Sequence, residues 1–371
     1  MSESRATARP PRVWVLVDDR PGSTSQSLGL AQALGWPFEV KELAFRPLAA
    51  LHNRLLGASR GGVRARAAVG LEPPWPDLVI AAGRRTAPVA RWIRDRAGGR
   101  TRLVHLGRKG GDAADLFDLV VTATYARLPP HPRRLVVSAP LHGVTPARLA
   151  EARERFGARL GALPAPRLAL LVGGTSGQYP LGPRAARRLG GEVAGFASRI
   201  GASLMVTTSR RTGRRSARAL RAALPAASFF HPWSTGGPEN PYLGLLAWAD
   251  ALVVTGDSES MLAEALATGR PVYVFELPTR RSFRVLRALR DAVEWRARAA
   301  GEDGLPPARL ARACRRAIEL GWVRPARDLA DLHRELVRRG LARPFGAPFE
   351  AGRRDPPREM EAVAARVRSL F

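Results

Sequence analysis

The sequence predicts an α/β protein of two doubly wound, parallel-sheet domains followed by a helical tail. Three observations carry that reading. Short runs rich in Val, Leu and Ile alternate with helical segments from Val13 onward, the pattern of parallel strands covered on both faces. The alternation pauses at the Pro- and small-residue stretch Gly161–Arg167 and then restarts. At 371 residues and 45% hydrophobic content, the chain exceeds one small core and suits two domains of ordinary size.

Taken in order, VWVLV (Val13–Val17) reads as the first strand, DDRPGSTSQ (Asp18–Gln26) as a Gly/Ser loop, and SLGLAQALG as a helix closed by Gly35. FEVKEL, DLVIAA, RLVHLG, FDLVVT and RRLVVS read as further strands, with the loop GRRT and the helix APVARWIRDRAG following DLVIAA. Thr145 and Pro146 open a helix as N-cap and first helical residue, running to about Leu160. These elements make a first domain at 12–160. The second, 167–325, restarts with the strand RLALLVGG, the loop TSGQYPLG and the helix PRAARRLGGEVAGFASRIG. The strand SLMVTTS, the loop and helix RRTGRRSARALRAAL, then ASFFH, LGLLAWAD and ALVVT continue it. It closes on a strand–loop–helix–strand, VVTGDSESMLAEALATGRPVYVFEL, at Val253–Leu277. From about Arg280 the pattern turns helical, and 326–371 reads as a tail packing back across the domains.

The 60 basic residues against 32 acidic ones give a formal charge of +28, yet only Lys41 and Lys109 are Lys. Lys neutralises phosphate as well as Arg does, so the Arg excess, with abundant Ala, points to codon bias more than to a selected nucleic-acid surface. What remains is attraction toward anions such as nucleotide phosphates or acidic lipid headgroups. The single cysteine, Cys314, permits no intrachain disulfide and fits a reducing compartment. MSESRATARPPR lacks the apolar core of a signal peptide, and no run approaches the ~18 apolar residues of a membrane span. Much of the charge is spread over helix faces such as Arg184, Arg187 and Arg188 and reads first as a solvated basic surface; the expectation is a cytoplasmic protein, with an anionic membrane surface as a candidate partner.

Several familiar sites are excluded. Neither Lys follows Gly, so a Walker A loop is absent, and no G-x-G-x-x-G follows a strand. A Tyr-x-x-x-Lys pair fails because Pro37 and His105 stand at that spacing. The six His residues are isolated, so no metal is expected. GASRG (Gly57–Gly61) matches G-x-S-x-G but follows the helix-like LHNRLL rather than a strand, so it reads as a loop.

Doubly wound sheets bind ligands where loops leave the C-terminal ends of strands, and five loops qualify. In the first, Gly22, Ser23, Thr24, Ser25 and Gln26 let N–H groups approach an anion at the helix start, which an ordinary strand–helix turn also explains. Asp18 and Asp19 do not help bind anions and are the candidate general bases for an acceptor hydroxyl. Arg84 and Arg85, in GRRT, belong to the same side. In GGTSG, Gly173 and Gly174 permit close approach of a ligand, while Thr175 and Ser176 can donate to phosphate oxygens. In TTSRRT, Arg210 and Arg211 can grip phosphate bidentately, or be one more Arg pair in an Arg-rich chain. In GGPENPY, Glu239 and Asn240 can hydrogen-bond a base or sugar. In the fifth, about 100° per residue puts Met261, Leu262, Ala265 and Leu266 on a core face and Asp257, Ser260 and Glu264 opposite. Asp257 or Ser258 can cap that helix, and Ser258 and Ser260 lie at its N-terminus, where unpaired N–H groups favour an anion. Glu264, about two turns on, has no capping role and can accept from a cis-diol such as ribose, or be a solvated helix Glu.

With these residues in view, the chain resembles GT-B glycosyltransferases. Glu264, Gly269 and Pro271 keep the Glu-x4-Gly-x-Pro spacing of nucleotide-sugar enzymes such as the peptidoglycan N-acetylglucosaminyltransferase, where the matching Glu contacts the ribose of UDP. GSTSQSLGLAQALG, AAGRRTAPVA, LLVGGTSGQYPL, VTTSRRT and PENPYLGLLAWADALVVTGDSESMLAEALATGRPVYV, in that order, resemble the mitochondrial-fission ELM family. The resemblance implies a GT-B-like fold, two Rossmann-type domains facing a central cleft. It implies a nucleotide-sugar donor such as a UDP-sugar as substrate, no resident cofactor, and inverting, metal-independent transfer to a membrane-associated or lipid-linked acceptor. It also implies an alternative, a non-catalytic scaffold, since the plant member recruits a dynamin-type GTPase at the outer mitochondrial surface. Three departures stand out. Gln26 occupies the place of the transferases' His, Ser25 replaces an Asn common in the ELM family, and Thr122–Tyr125 replaces a His/Asp pair.

Overall fold

The apolar runs become two separate six-stranded sheets, in which all paired strands are parallel. The computed structural model describes residues 9–107, 114–128, 130–234, 239–298, 308–319, 322–323 and 328–371. The chain divides into two compact units, one of residues 1–143, 290–325 and 358–371, the other of 144–289 and 326–357.

In the first unit the strands are β1 (Val13–Val17), β2 (Phe38–Glu42), β3 (Leu78–Ala82), β4 (Arg102–Leu106), β5 (Leu119–Ala123) and β6 (Arg134–Val137), ordered β2-β1-β3-β4-β5-β6. Every residue of β1 and β3 is buried, as inner strands covered on both faces must be. Trp14, Leu16, Val79, Ile93, Leu103 and Phe117 belong to one core cluster. The edge strand β2 is more exposed, and its Lys41 lays an ammonium over the Trp14 ring, 4.2 Å from the centroid. Helices α1 (Pro21–Leu34), α2 (Asn53–Leu56), α3 (Ala65–Ala68) and α4 (Ala87–Arg96) occur between these strands.

One boundary is corrected. Gly22–Gln26 are not a loop but the opening turns of α1. Pro21 supplies a pre-set φ at the first helical position, and the N–H groups of Ser23 and Thr24 both donate to the Arg20 carbonyl. Gly29, inside α1, is required by a close approach: a Cβ there would overlap the His142 carbonyl, and Ser25 Oγ accepts the Gly143 N–H at 3.0 Å.

The second unit contains β7 (Arg167–Val172), β8 (Ser203–Thr208), β9 (Phe229–His231), β10 (Ala251–Thr255), β11 (Val272–Phe275) and β12 (Arg343–Pro344), ordered β12-β11-β10-β7-β8-β9. Its helices begin with α5 (Pro146–Arg155), α6 (Pro183–Arg199), α7 (Arg214–Arg221), α8 (Tyr242–Trp248) and α9 (Glu259–Leu266). β12 is two residues long and leaves no periodic trace in the sequence.

The unit boundary falls before α5, not in the Gly161–Arg167 stretch. α5 joins the second unit because it packs on α8. Trp248 Nε1 donates to Arg153 O at 2.8 Å, the Arg153 guanidinium donates to Ala247 O at 2.9 Å, and a Cβ on Gly244 would stand 2.6 Å from the Phe156 ring. The small residues expected to form a linker are tied down in the same way: Arg167 bonds the Leu163 and Gly161 carbonyls at 2.8 and 3.0 Å.

The C-terminal part is helical, as the pattern after Arg280 predicts: α10 (Arg281–Arg298), α11 (Ala308–Glu319), α12 (Leu329–Arg338) and α13 (Glu359–Arg368). Residues 290–325, expected in the second domain, belong to the first unit, where Asp291 pairs with Arg127 at 3.2 Å. The tail is shared. Residues 326–357 belong to the second unit and 358–371 to the first. There Glu359 accepts the Ser138 N–H at 2.7 Å, Arg368 donates to Ala33 O at 2.7 Å, and Phe371 meets Trp36 edge-on at 5.4 Å.

Candidate functional site

A doubly wound sheet opens a crevice where its strand order reverses, outside the C-terminal strand ends. In the second sheet that point lies between β7 and β10, and in the first between β1 and β3. The loops after β7, β8 and β10 meet at the second point, and those after β1 and β3 at the first.

At the second sheet's switch point the loops after β7, β8 and β10 are woven together around Asp257. Thr255, the last residue of β10, accepts the Gly173 N–H at 2.8 Å and donates its hydroxyl to Asp257 Oδ1 at 2.7 Å. Asp257 Oδ2 lies 2.9 Å from an Arg211 guanidinium nitrogen. It is an ion pair without hydrogen-bond alignment, since that oxygen has no hydrogen-bond donor among the described residues. The Asp257 side chain is fully buried and Arg211's is 38% exposed. Burial raises the Asp257 pKa above the ordinary carboxylate value, and Arg211 and Thr255 only partly offset that rise. Gly173 and Gly174 are demanded by this packing. A Cβ on Gly173 would overlap the Asp257 carboxylate, and Gly174, at φ +122°, passes against the Arg211 backbone.

The backbone donors of Thr175 and Ser176 are consumed inside the loops, and their hydroxyls accept there. Thr175 N–H donates to Arg211 O at 3.0 Å and Ser176 N–H to Tyr179 O at 2.7 Å. The Thr175 hydroxyl accepts the Leu181 N–H at 3.1 Å and the Ser176 hydroxyl that of Tyr179 at 3.1 Å. Gly173, Thr175 and Ser176 therefore shape the loop, and the cations Arg210 and Arg211 carry its positive charge. Arg210 is exposed.

Asp257 is not the helix cap. α9 starts at Glu259 with Ser258 at the N-cap, whose side chain makes no capping hydrogen bond. Asp257 is drawn inward by Arg211 and Thr255 instead. Ser260 lies half-buried in the first turn. Leu262, Ala263, Ala265 and Leu266 form the buried face of α9, while Met261 is half-buried. Glu264 is half-buried, and the Tyr242 hydroxyl donates to its Oε2 at 2.6 Å. Burial first, and Glu264 next, push the Tyr242 phenol well above its usual range, so it stays a donor.

Glu239 and Asn240 serve structure. Glu239 pairs with Arg155 of α5, and Asn240 Oδ1 accepts the Tyr242 N–H at 3.1 Å at the start of α8. Gly236–Pro238 of that motif lie outside the described residues.

At the first sheet's switch point, Arg85 gathers both acids. It donates from two nitrogens to Asp18 Oδ2, at 2.6 and 3.1 Å, and also pairs with Asp19. The Arg20 N–H occupies Asp18 Oδ1 at 3.0 Å. Asp18 is buried, whereas Asp19 is 65% exposed. Burial acts to lower the Arg85 pKa, and the hydrogen bonds to Asp19 and Asp18 outweigh it, so the guanidinium is held charged. Thr24 donates to the Asp18 carbonyl at 3.0 Å. A Cβ on Gly83 would meet Ser23 Oγ at 3.2 Å, and one on Gly107 would meet Gln26 Oε1 at 3.9 Å, so Ser23 and Gln26 line the ends of β3 and β4. Arg84 turns elsewhere, donating to the carbonyls of Leu51 and Ala49 at 2.5 and 2.6 Å.

Sequence reasoning missed Thr255, Tyr242 and His333. Thr255 ends an apolar strand and Tyr242 sits in a motif read for its acids; neither has a local signal. His333 of α12 reaches the end of β10 from the tail, where its Nε2–H donates to the Gly256 carbonyl at 2.8 Å.

Comparison with known proteins adds the lineage. The family model described as Mitochondrial fission ELM1 matches residues 21–322. The chain belongs to the mitochondrial fission ELM1 family. Among its relatives, the Arabidopsis thaliana "Mitochondrial fission protein ELM1" is 29% identical over 225 residues, 55% of this chain and 52% of the plant protein. The match thus spans about half the length of that relative. An uncharacterized protein of Rickettsia prowazekii (strain Madrid E) is 24% identical over 297 residues, 72% of this chain and 83% of its own. Among solved structures, the UDP-GlcNAc 2-epimerase of Methanocaldococcus jannaschii aligns over 97% of this chain and 99% of its own, with a TM-score of 0.50 and 13% identity. That is a likeness of fold, and with the two parallel sheets it makes this ELM1-family fold GT-B-like.

Proposed function

We propose that this ELM1-family chain binds a nucleoside diphosphate sugar, such as a UDP-sugar, at the switch point between β7 and β10. We further propose that it transfers the sugar to an acceptor hydroxyl without a metal. The observation that carries the reading is the exposed Arg211 guanidinium held at that point by the buried Asp257. A guanidinium there can take the charge of a diphosphate and of the leaving group as the glycosidic bond breaks. Arg210 adds a second cation, and the N-terminus of α9 at Ser258 and Ser260 favours an anion. Glu264, oriented by Tyr242, is assigned to the ribose diol. On the first unit we assign the base role to Asp19, the exposed acid of the pair; Asp18 serves to fix Arg85. The acceptor in this reading is membrane-associated.

Calorimetric titration with UDP and with UDP-sugars tests the donor site. Binding is expected in the wild type and at least tenfold weaker, about 1.4 kcal/mol, in Glu264→Ala. Glu264→Gln, which keeps an acceptor for Tyr242, controls for folding. A wild-type protein that binds no nucleoside diphosphate sinks the proposal. Binding without sugar release to any membrane extract removes the transferase part and leaves a binding protein.

A further inference from the structure

The first half of α10 carries an apolar stripe on the side away from the protein core. Phe283 is half-buried on its inner side, but three other apolar residues of its first half face solvent: Val285 is 63% exposed, Leu289 62% and Leu286 44%. At about 100° per residue Val285 and Leu289 lie within about 40° of each other, with Leu286 beside them, while Arg287 falls about 160° from Val285 and Leu289 alike. Arg287 is on the inner side, where it pairs with the buried Asp328. The inversion continues further along the helix, where Glu294 is buried and Trp295 is 53% exposed.

Ordinary surface helices turn such residues the other way. A contiguous exposed apolar stripe marks a surface that something covers. Arg281 and Arg284 are exposed one turn before and beside the stripe, in a chain of net charge +28. The covering surface is therefore expected to be anionic as well as apolar. An outward helix face is convex and offers no pocket, which suits a fluid bilayer that closes around it. No described helix is long and apolar enough to cross a membrane, so the contact is in the plane of the interface.

We propose that the Arg281–Leu289 segment of α10 docks on an anionic lipid bilayer, with Val285, Leu286 and Leu289 inserted among the acyl chains and Arg281 and Arg284 at the headgroups. The proposal stands apart from the donor site and needs no bound nucleotide.

Co-sedimentation of the full chain with phosphatidylcholine vesicles, with and without phosphatidylglycerol, is the test. The wild type is expected to pellet with the anionic vesicles only. Leu286→Ser with Leu289→Ser leaves the net charge unchanged and alters exposed residues, and it is expected to weaken binding about tenfold or more. Circular dichroism of the variant confirms that it is folded. Arg281→Gln with Arg284→Gln is expected to weaken binding at low salt and to matter less at high salt. Absence of wild-type binding overturns the proposal, as does a double-Ser variant that binds equally well, which would assign the attraction to diffuse charge. A wild-type dimer that the double-Ser change dissociates would assign the stripe to a second copy and overturn it too.

Discussion

His333 bonds Gly256 and Asp257 follows it, both at the end of β10, and burial shifts the two groups in opposite directions. Burial dominates at His333, lowering its pKa below the usual 6.5 despite the hydrogen bond to the Gly256 carbonyl. The unfolded chain therefore binds more protons than the folded one between His333's depressed pKa and 6.5. Stability from this residue is complete above 6.5 and is lost as pH falls through the folded value. Asp257 works in the other sense. Its folded pKa is raised above 3.8, so its favourable contribution is present below 3.8 and is lost as pH rises through the folded value. Urea unfolding at about pH 7.5 and about pH 5.5 should show the wild type losing stability on acidification, and His333→Gln losing less. An unchanged pH slope in that variant would refute the assignment. The imidazole lies against Gly256, where a Cβ would overlap the ring, and this proximity is invisible in the sequence because 77 positions separate the two.

At the scale of elements, one side chain joins three. Asp328 caps α12, its Oδ1 accepting the Ala330 N–H at 2.9 Å. It also accepts from Gln178 in the loop after β7 and pairs with Arg287 of α10. Burial acts to raise its pKa, but the bonds from Ala330, Gln178 and Arg287 outweigh that and lower it. Removing a buried partner of this kind strands the others. Asp328→Ala is expected to cost about 3 kcal/mol, whereas Thr145→Ala, which removes only the α5 cap bond to the Arg148 N–H, should cost about 1 kcal/mol. Denaturant titration of both variants checks the ordering. Elements of this protein were legible where the signal is local. The runs VWVLV, LVIAA and ALVVT are strands because a both-sides-buried strand is continuously apolar. The start of α1 reads as a loop because Gly22, Ser23 and Ser25 have turn chemistry, while Pro21 and the Arg20 carbonyl set the helix. The sequence places α5 before the boundary because α8, whose Trp248 and Gly244 hold it, lies far along the chain from the Pro-rich stretch that looks like a linker.

For the whole molecule, two compact units, each with its own sheet, make a single two-state unfolding transition an unsafe assumption. A ligand that binds the second unit stabilises it by mass action, by about 2.7 kcal/mol at a hundredfold excess over its Kd. Scanning calorimetry with a UDP-sugar should therefore move the melting of the second unit upward in the wild type and move it less in Glu264→Gln. Equal shifts would place the ligand elsewhere. By itself the sequence determined the class of the fold, the positions of eleven of its strands, the family, and the loops that reach the strand ends, because strand and helix periodicity and motif order are local properties of the chain. Only the tertiary structure decided what those loop residues do. Gly173 bonds Thr255 across 82 positions and Asp257 turns inward to Arg211. Thr175 and Ser176 spend their N–H groups inside the loop, and α10 turns Val285, Leu286 and Leu289 outward. Burial and hydrogen-bond partnership are set by residues distant in sequence, and no local pattern encodes them.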